Sequence, residues 1–389
     1  MFNSQTCKQC GVCLMLCPFQ DMSKKEAKQA IVPLVENKDP ENVLSQCAGC
    51  SLCDILCPTN SNPSDLRKEI KHANNKETGV SGLELMSDEV PFSIMSAGLE
   101  TDKEAKLARL ARLTEPEPSE EFFYLGCSLS YIYSDLAQSR LFDKLPAIGG
   151  MKYCCGSYVN IHFGEKEARI KGLKLLDELK KLGVKRLITF CPECDNMLGH
   201  VYPELIEDFN IETRPIADYL LDEHRSGRLT FPHPIDQKVT FHDACGSRKL
   251  GQDFHEAPRK LLQALGAELV EMKHNRSKSM CCGVPLLSKN RESFESAAEK
   301  RALEAKEAGA QAIVVNCSGC FSLSTRAKKH GLEVYHLIEM VQRALGESPP
   351  HRIEEIKNGL VTAIFEKLAD DPKSLEQRYV IEDGTLRVV

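Results

Sequence analysis

No run of apolar residues in this 389-residue chain approaches the roughly 18 that a membrane-spanning helix needs, so the chain has no span of its own. A surplus of positive charge is missing too. The 56 acidic residues outnumber the 50 basic ones and leave a net charge of −6, which offers no broad cationic surface to a phosphate backbone and argues against nucleic acid as a partner. Met1 to Thr6 leave no room for a charged region and an apolar stretch ahead of Cys7, so no signal peptide is expected and the cytoplasm is the expected location. With 42% hydrophobic and 27% charged residues the composition is that of an ordinary soluble protein, long enough for two or three domains.

Against these absences stand 18 cysteines. Their density is well below that of small disulfide-stapled domains, and a chain of this length does not need such staples, so metal or redox chemistry is the stronger reading. Residues 7–18 read CKQCGVCLMLCP and residues 47–58 read CAGCSLCDILCP, both C-x2-C-x2-C-x3-C-P. Three thiolates at that pitch wrap one iron-sulfur cube, while the fourth, expected to open a helix just before its proline, serves the other cube. The ligand sets are therefore crossed: Cys7, Cys10, Cys13 and Cys57 for one 4Fe-4S cubane, and Cys47, Cys50, Cys53 and Cys17 for a second. Zinc knuckles would leave the third cysteine and the proline of each run unexplained.

The opening resembles a two-cluster ferredoxin, but 29 residues separate Cys17 from Cys47 and include the helical-looking stretch Ser23 to Val35. An α-helical ferredoxin-like domain over residues 1–75 is expected, with a helix ending near Ala30 ahead of Pro33 and a loop through Pro40. Residues 76–121 read as a connector. It carries one helix, KLARLARL, with Thr101 and Glu104 as a capping box and Leu107, Leu110 and Leu113 on one face.

From Glu121 the chain repeats itself. Cys127, Cys154, Cys155, Cys191 and Cys194 match Cys245, Cys281, Cys282, Cys317 and Cys320 at offsets of 118, 127, 127, 126 and 126. Every cysteine of the chain thus lies in a motif. Around them the pattern is the same in both halves: a strand-like segment delivering a cysteine (FFYLGC, VTFHDAC), an amphipathic helix stopped at Gly183 or Gly309, a strand, C-x-x-C, and a further strand and helix. Two α/β lobes with parallel strands are expected, over 122–235 and 236–345, with the cysteines at the carboxyl ends of the strands, where such folds bind ligands. Five thiols per lobe exceed the four of a cubane. A non-cubane four-iron cluster suits that count, with Gly156 or Gly283 letting the backbone approach. A vicinal disulfide, a zinc site and a cubane with a spare thiol are the alternatives.

The doubled C…CCG…CxxC lobe after a two-cluster ferredoxin resembles the catalytic iron-sulfur subunit of heterodisulfide reductase, in the form that fuses the ferredoxin part to two Cys-Cys-Gly (CCG) domains. The resemblance implies tandem CCG domains related by a pseudo-twofold repeat, two 4Fe-4S cubanes, and two non-cubane 4Fe-4S clusters, one on each five-cysteine set. Those sets would be catalytic, cleaving or forming a disulfide of low-molecular-weight thiols such as coenzymes M and B. It also implies partner subunits of the flavoprotein or membrane cytochrome b type, through which the chain would be held at a membrane. No G-x-G-x-x-G follows a strand, so electrons are exchanged with such a partner. Relatives of this kind also relay electrons in quinone- or flavoprotein-linked dehydrogenase complexes, which is the alternative function. His242 and Asp243 before Cys245, with Arg248 and Lys249 after it, are candidates to donate a proton or hold an anionic substrate, although the first lobe lacks counterparts. Lys152, Tyr153 and Lys278 flank the Cys-Cys pairs. The tail, residues 346–389, reads as a loop, a helix over Ile353 to Ala369, and a hairpin turning at Asp383-Gly384, expected to dock on another subunit or on the second lobe.

Overall fold

A computed structural model describes residues 1–39, 43–349 and 351–389. Pro40, and Pro350 within the loop expected after Gly346, lie outside the described residues. Four helices carry the first cysteine runs: Val12–Met15, Lys24–Val35, Leu52–Leu56 and Pro63–Thr78, with no strand among the described residues of this region. Ser23 and Glu26 form a reciprocal cap at the start of the second helix. That helix does not stop near Ala30 but runs through Pro33. Ile31 and Leu34 are buried against Leu14, Val43, Leu44, Leu66 and Ile70. Burying the two side chains is worth about 1.5–3 kcal/mol each, enough to offset a proline placed one turn from the end. Cys57 caps the end of Leu52–Leu56 and Cys17 follows Val12–Met15, so each fourth cysteine closes a short helix rather than opening one.

Beyond the helix Pro63–Thr78, which runs across residue 75, comes a two-residue strand β1 (Val80–Ser81) and the helices Ile94–Glu100 and Lys103–Thr114. The last of these lacks the expected capping box. Its N-cap is Asp102, while the Thr101 hydroxyl donates to Gly98 O and accepts from buried Lys106. Leu110 is buried there and Leu107 exposed, so the leucine stripe is only partly covered.

Two four-stranded parallel sheets follow. The first has the order β3-β2-β4-β5, from β2 (Glu121–Gly126), β3 (Ala147–Gly149), β4 (Arg186–Thr189) and β5 (Glu212–Pro215). The second has the order β7-β6-β8-β9, from β6 (Lys238–His242), β7 (Glu268–Leu269), β8 (Ala312–Val315) and β9 (Glu333–His336). The central strands are nearly continuous apolar runs because helices cover both faces; Ala312, Ile313, Val314 and Val315 are all fully buried. The long helices Glu165–Lys181 and Arg291–Glu307 end as the sequence indicates, with Gly183 and Gly309 in left-handed backbone. Edge strands β3 and β7 have three and two residues, too few to show any alternation in the sequence.

The tail forms the helix Ile353–Asp370 and a hairpin of β10 (Arg378–Glu382) and β11 (Thr385–Val388). Asp383 and Gly384 both have positive φ, as a two-residue hairpin turn requires. Within the chain the hairpin packs on the first lobe, not on the second. β10 pairs antiparallel with β1, matching Val80 with Tyr379, and the turn rests on the helix of the first lobe: Lys174 donates to Gly384 O at 2.9 Å and Gly384 N donates to Glu167 at 2.9 Å. No helix among the described residues is long and apolar enough to cross a membrane.

Candidate functional site

Loops at the ends of the short amino-terminal helices bring the first eight cysteines into two cavities. Cys7, Cys10, Cys13 and Cys57 line one, and Cys17, Cys47, Cys50 and Cys53 line the other. Burial pushes the Cys13 thiol up to about 11, and Cys57 and Cys10 add to the shift. Burial likewise pushes Cys50 up to about 12, with Cys245 and Cys17 adding to it. The second cavity holds a group that the cysteine spacing does not single out. Arg67, from the helix Pro63–Thr78, is buried and donates to Cys13 O at 3.0 Å, and the negative groups acting on it are Cys53, Cys47, Cys17 and Cys13. Lys71, one turn on, donates to Cys47 O at 2.8 Å.

In the two sheets the remaining ten cysteines lie at the carboxyl ends of β2, β4, β6 and β8 and on the loops between. Cys127 contacts Cys154, which is followed by Cys155; Cys155 meets Cys194 at 3.5 Å between sulfurs, and Cys194 contacts Cys191. In the second lobe the same order runs Cys245, Cys281, Cys282, Cys320, Cys317. The two series join, because Cys191 and Cys317 are hydrogen-bonding neighbours across the lobes. After each Cys-Cys pair the glycine has positive φ, and its N–H is aimed at the first cysteine's sulfur: Gly156 to Cys154 at 3.5 Å, Gly283 to Cys281 at 3.4 Å. A Cβ on Gly156 would lie 2.6 Å from Lys171 Cγ, so the approach needs glycine.

Hydrogen bonds from neighbouring thiols, and then burial, push Cys127, Cys194, Cys281 and Cys320 well above the ordinary thiol range. So many thiols in contact cannot all be anions unless a cation neutralises them. The donor sets therefore fit cationic, sulfur-binding groups. Buried Arg67 fits the same conclusion at the ferredoxin-like cavities, since a permanently charged guanidinium without a carboxylate ion pair among the described residues needs anionic sulfur beside it.

The flanking candidates take other roles. Asp243 accepts from both terminal nitrogens of Arg259 at 2.8 Å, from His255 at 3.2 Å and from Arg276 N at 2.7 Å, so it braces the fold and is not aimed at the thiols. Arg248 is used up on backbone carbonyls: Cys50 O at 2.7 Å, Ser279 O at 2.7 Å, and Ser277 O. Lys249 pairs with buried Asp54 at 2.7 Å. Both clamp the ferredoxin-like region onto the second lobe rather than offering a charge to a substrate. Lys152 pairs with Glu115 and Glu178, Lys278 is exposed, and Tyr153 contributes its carbonyl to Tyr124. His242 lies beside the sulfurs of the second set; a ring nitrogen is within 4.8 Å of Cys282 and Cys320.

A cysteine-rich domain model (CCG) matches residues 123–199 and 239–323, and a 4Fe-4S dicluster domain model matches residues 6–62, together more than half of the chain. The chain therefore belongs to the iron-sulfur proteins that join a 4Fe-4S dicluster domain to cysteine-rich CCG domains. Within that class it is similar to one subunit of the dihydromethanophenazine:CoB–CoM heterodisulfide reductase of Methanosarcina barkeri, at 25% identity over 78% of each chain. It is also similar to one subunit of the fumarate reductase (CoM/CoB) of Methanothermobacter marburgensis, at 24% identity over 88% of this chain and 72% of that one. The EtfAB:quinone oxidoreductase of Syntrophomonas wolfei is 28% identical over 43% of this chain, which spans only 25% of that protein. The chain is thus an iron-sulfur protein of the oxidoreductase type related to heterodisulfide reductase.

Proposed function

We propose that this chain is the disulfide-cleaving subunit of an electron-transfer complex. In this reading Cys7, Cys10, Cys13 and Cys57 hold one 4Fe-4S cubane and Cys47, Cys50, Cys53 and Cys17 the other. The sets Cys127/154/155/191/194 and Cys245/281/282/317/320 each hold a non-cubane 4Fe-4S cluster, on two lobes that are copies of one unit. When bound, such clusters supply one-electron storage at successive points along the chain. The observation that carries the reading is the series of thiols: Cys50, on which the charge of Cys245 acts, then the contacting thiols of the second set to Cys317, and across to Cys191 and the first set. Reduction of a disulfide takes two electrons and two protons and yields two thiols, so a substrate must be held between one-electron arrivals. Two five-thiol sets meeting at Cys191 and Cys317 provide a place for each half.

The chain's own residues prepare that place. The N–H groups of Gly156 and Gly283 stabilise negative charge on the Cys154 and Cys281 sulfurs, and Arg248 and Lys249 keep the Cys50 loop against the second set. The relationship to the EtfAB:quinone oxidoreductase supports a second reading, an electron relay to a quinone- or flavoprotein-linked partner with no thiol substrate.

Electron paramagnetic resonance on anaerobically purified, oxidised protein separates the two. A new signal on adding coenzyme M or coenzyme B, abolished by Cys154→Ser or Cys281→Ser with the ferredoxin signals retained, is expected; signals indifferent to any thiol would favour the relay. The crossed ligand sets have their own test. Cys57→Ser is expected to strip iron from the Cys7, Cys10 and Cys13 set and leave the Cys47, Cys50 and Cys53 set loaded, and Cys17→Ser the reverse. Loss from the adjacent set in each case would show that the ligands are not crossed.

A further inference from the structure

The two lobes place different chemistry behind equivalent thiols. Tyr124 stands three residues before Cys127 and His242 three before Cys245. Strand register makes the two positions equivalent: Tyr124 is paired with Thr189 and His242 with Val315, each two residues before the first cysteine of its C-x-x-C. In the first lobe the Tyr124 hydroxyl donates to Tyr153 O, so its polar atom is satisfied within the protein. In the second, His242 is fully buried, neither ring nitrogen makes a well-formed hydrogen bond to nitrogen or oxygen among the described residues, and its polar neighbour is the Cys282 thiol. One ring nitrogen, Cys282 Sγ and Cys320 Sγ all lie within 4.8 Å of one another.

A second partly unsatisfied group lies within electrostatic range of the same two thiols. Arg301, fully buried on the helix Arg291–Glu307, donates through one terminal nitrogen to His274 O and Glu304, while its Nε and other terminal nitrogen have no partner among the described residues. Cys320 and Cys282 are among the groups whose charge acts on it. By the offset of 126 that aligns Gly183 with Gly309, the first-lobe counterpart of Arg301 is Leu175, a buried apolar residue. Buried ring and guanidinium N–H groups with nothing to accept from them are each destabilising. For His242 the acceptors at hand are the sulfurs of Cys282 and Cys320, and for Arg301 the pairing with Glu304 leaves two nitrogens over.

We propose that His242, backed by Arg301, is a positioning and tuning residue that donates its ring N–H to the sulfur held at Cys282 and Cys320. The second set is thereby reduced more readily than the first. This rests on the assignment of a cluster to that set. Donors and positive charge beside cluster sulfur stabilise the reduced form and raise its potential. Gly156 and Gly283 serve the two sets alike, while Tyr124 and Leu175, the first-lobe equivalents of His242 and Arg301, supply neither donor nor charge. The first set has Lys171 acting on Cys154 instead. The two repeats are therefore unequal stations: electrons arriving past Cys50 meet the more easily reduced set first.

The test uses the full-length, anaerobically purified protein. Iron and sulfide per chain are counted first; iron sufficient only for the two ferredoxin-type sets would remove the cluster assignment and this inference with it. With all four sets loaded, wild-type protein labelled with ¹⁵N-histidine is expected to show a nitrogen hyperfine coupling on one reduced-state signal. His242→Ala is expected to abolish that coupling and to lower the midpoint potential of that signal alone, with iron content unchanged, and His242→Gln, which keeps an N–H donor, to restore part of the shift. Tyr124→Phe is expected to leave that potential in place. Four loaded sets with no nitrogen coupling, or with potentials indifferent to His242→Ala, would overturn the proposal while leaving the cluster assignment standing. Where the alanine variant does not fold, His242→Gln decides: a histidine coupling retained in that variant would belong to another ring, such as buried His336 near Cys317, and would overturn the proposal.

Discussion

Arg67→Met is expected to cost the protein the iron of the Cys17, Cys47, Cys50 and Cys53 set and about 3–5 kcal/mol of stability, the range seen when one partner of a buried charge pair is removed. Arg67 is 4% exposed, and its guanidinium stays charged at any pH the protein survives. Its electrostatic partners are Cys53, Cys47, Cys17 and Cys13, so the anionic sulfur of both ferredoxin-type sets leans on this one cation. Methionine preserves much of the side chain's volume, which confines the change to charge and hydrogen bonding. Removing the cation leaves thiols that burial already pushes up, to about 11 at Cys13 and likewise upward at Cys17 and Cys53, harder still to deprotonate and therefore poorer metal ligands. Iron and sulfide analysis together with anaerobic thermal unfolding checks both parts. A variant with full iron content and an unchanged unfolding temperature would show that Arg67 is a packing residue only.

That the thiol sets were legible in the sequence while Arg67 was not has a physical reason. Ligand spacing is a short-range property: three cysteines at fixed pitch must lie on one loop, and adjacent cysteines before glycine must share one turn. The parallel sheets were legible for a related reason, since apolar strand segments such as AIVV alternate with amphipathic helices. The counter-charge is long-range. Arg67 sits in PSDLRKEIKHANNKET, a helix whose polar residues read as a solvated face, and only the folded arrangement turns one of them inward beneath the thiols. Arg248 was legible as a residue near a site but not in its role, because nothing near it in sequence shows that Cys50 O and Ser279 O are waiting for a donor. The hairpin tail was legible as a hairpin, yet its partner β1 has two residues and no pattern of its own.

Asp243→Asn is expected to destabilise the protein by about 3–5 kcal/mol at neutral pH, by leaving Arg259, 2% exposed, with half of its carboxylate partners gone. Burial alone would push the Asp243 carboxyl up, but hydrogen bonds from Arg259 and His255 outweigh it and hold the group far below the usual carboxylate range. A carboxyl depressed in the folded state contributes its full stabilisation above its unfolded value, near 4, and loses it as pH falls through the lower folded value. The stability gap between wild type and variant is therefore expected to be flat above about pH 5 and to narrow on acidification. Denaturant midpoints at pH 7 and pH 4 measure it; a gap under about 1 kcal/mol at pH 7, or one that widens in acid, contradicts the role. The consequence reaches the site through the backbone. Asp243 accepts from Arg276 N, and Arg248 holds Ser277 O and Ser279 O, so one carboxylate and one guanidinium pin both ends of the turn that delivers Cys281 and Cys282. Loss of the Asp243 brace is thus expected to loosen the second five-thiol set and leave the first, whose Cys-Cys turn is fixed by Gly156 and Tyr202, undisturbed.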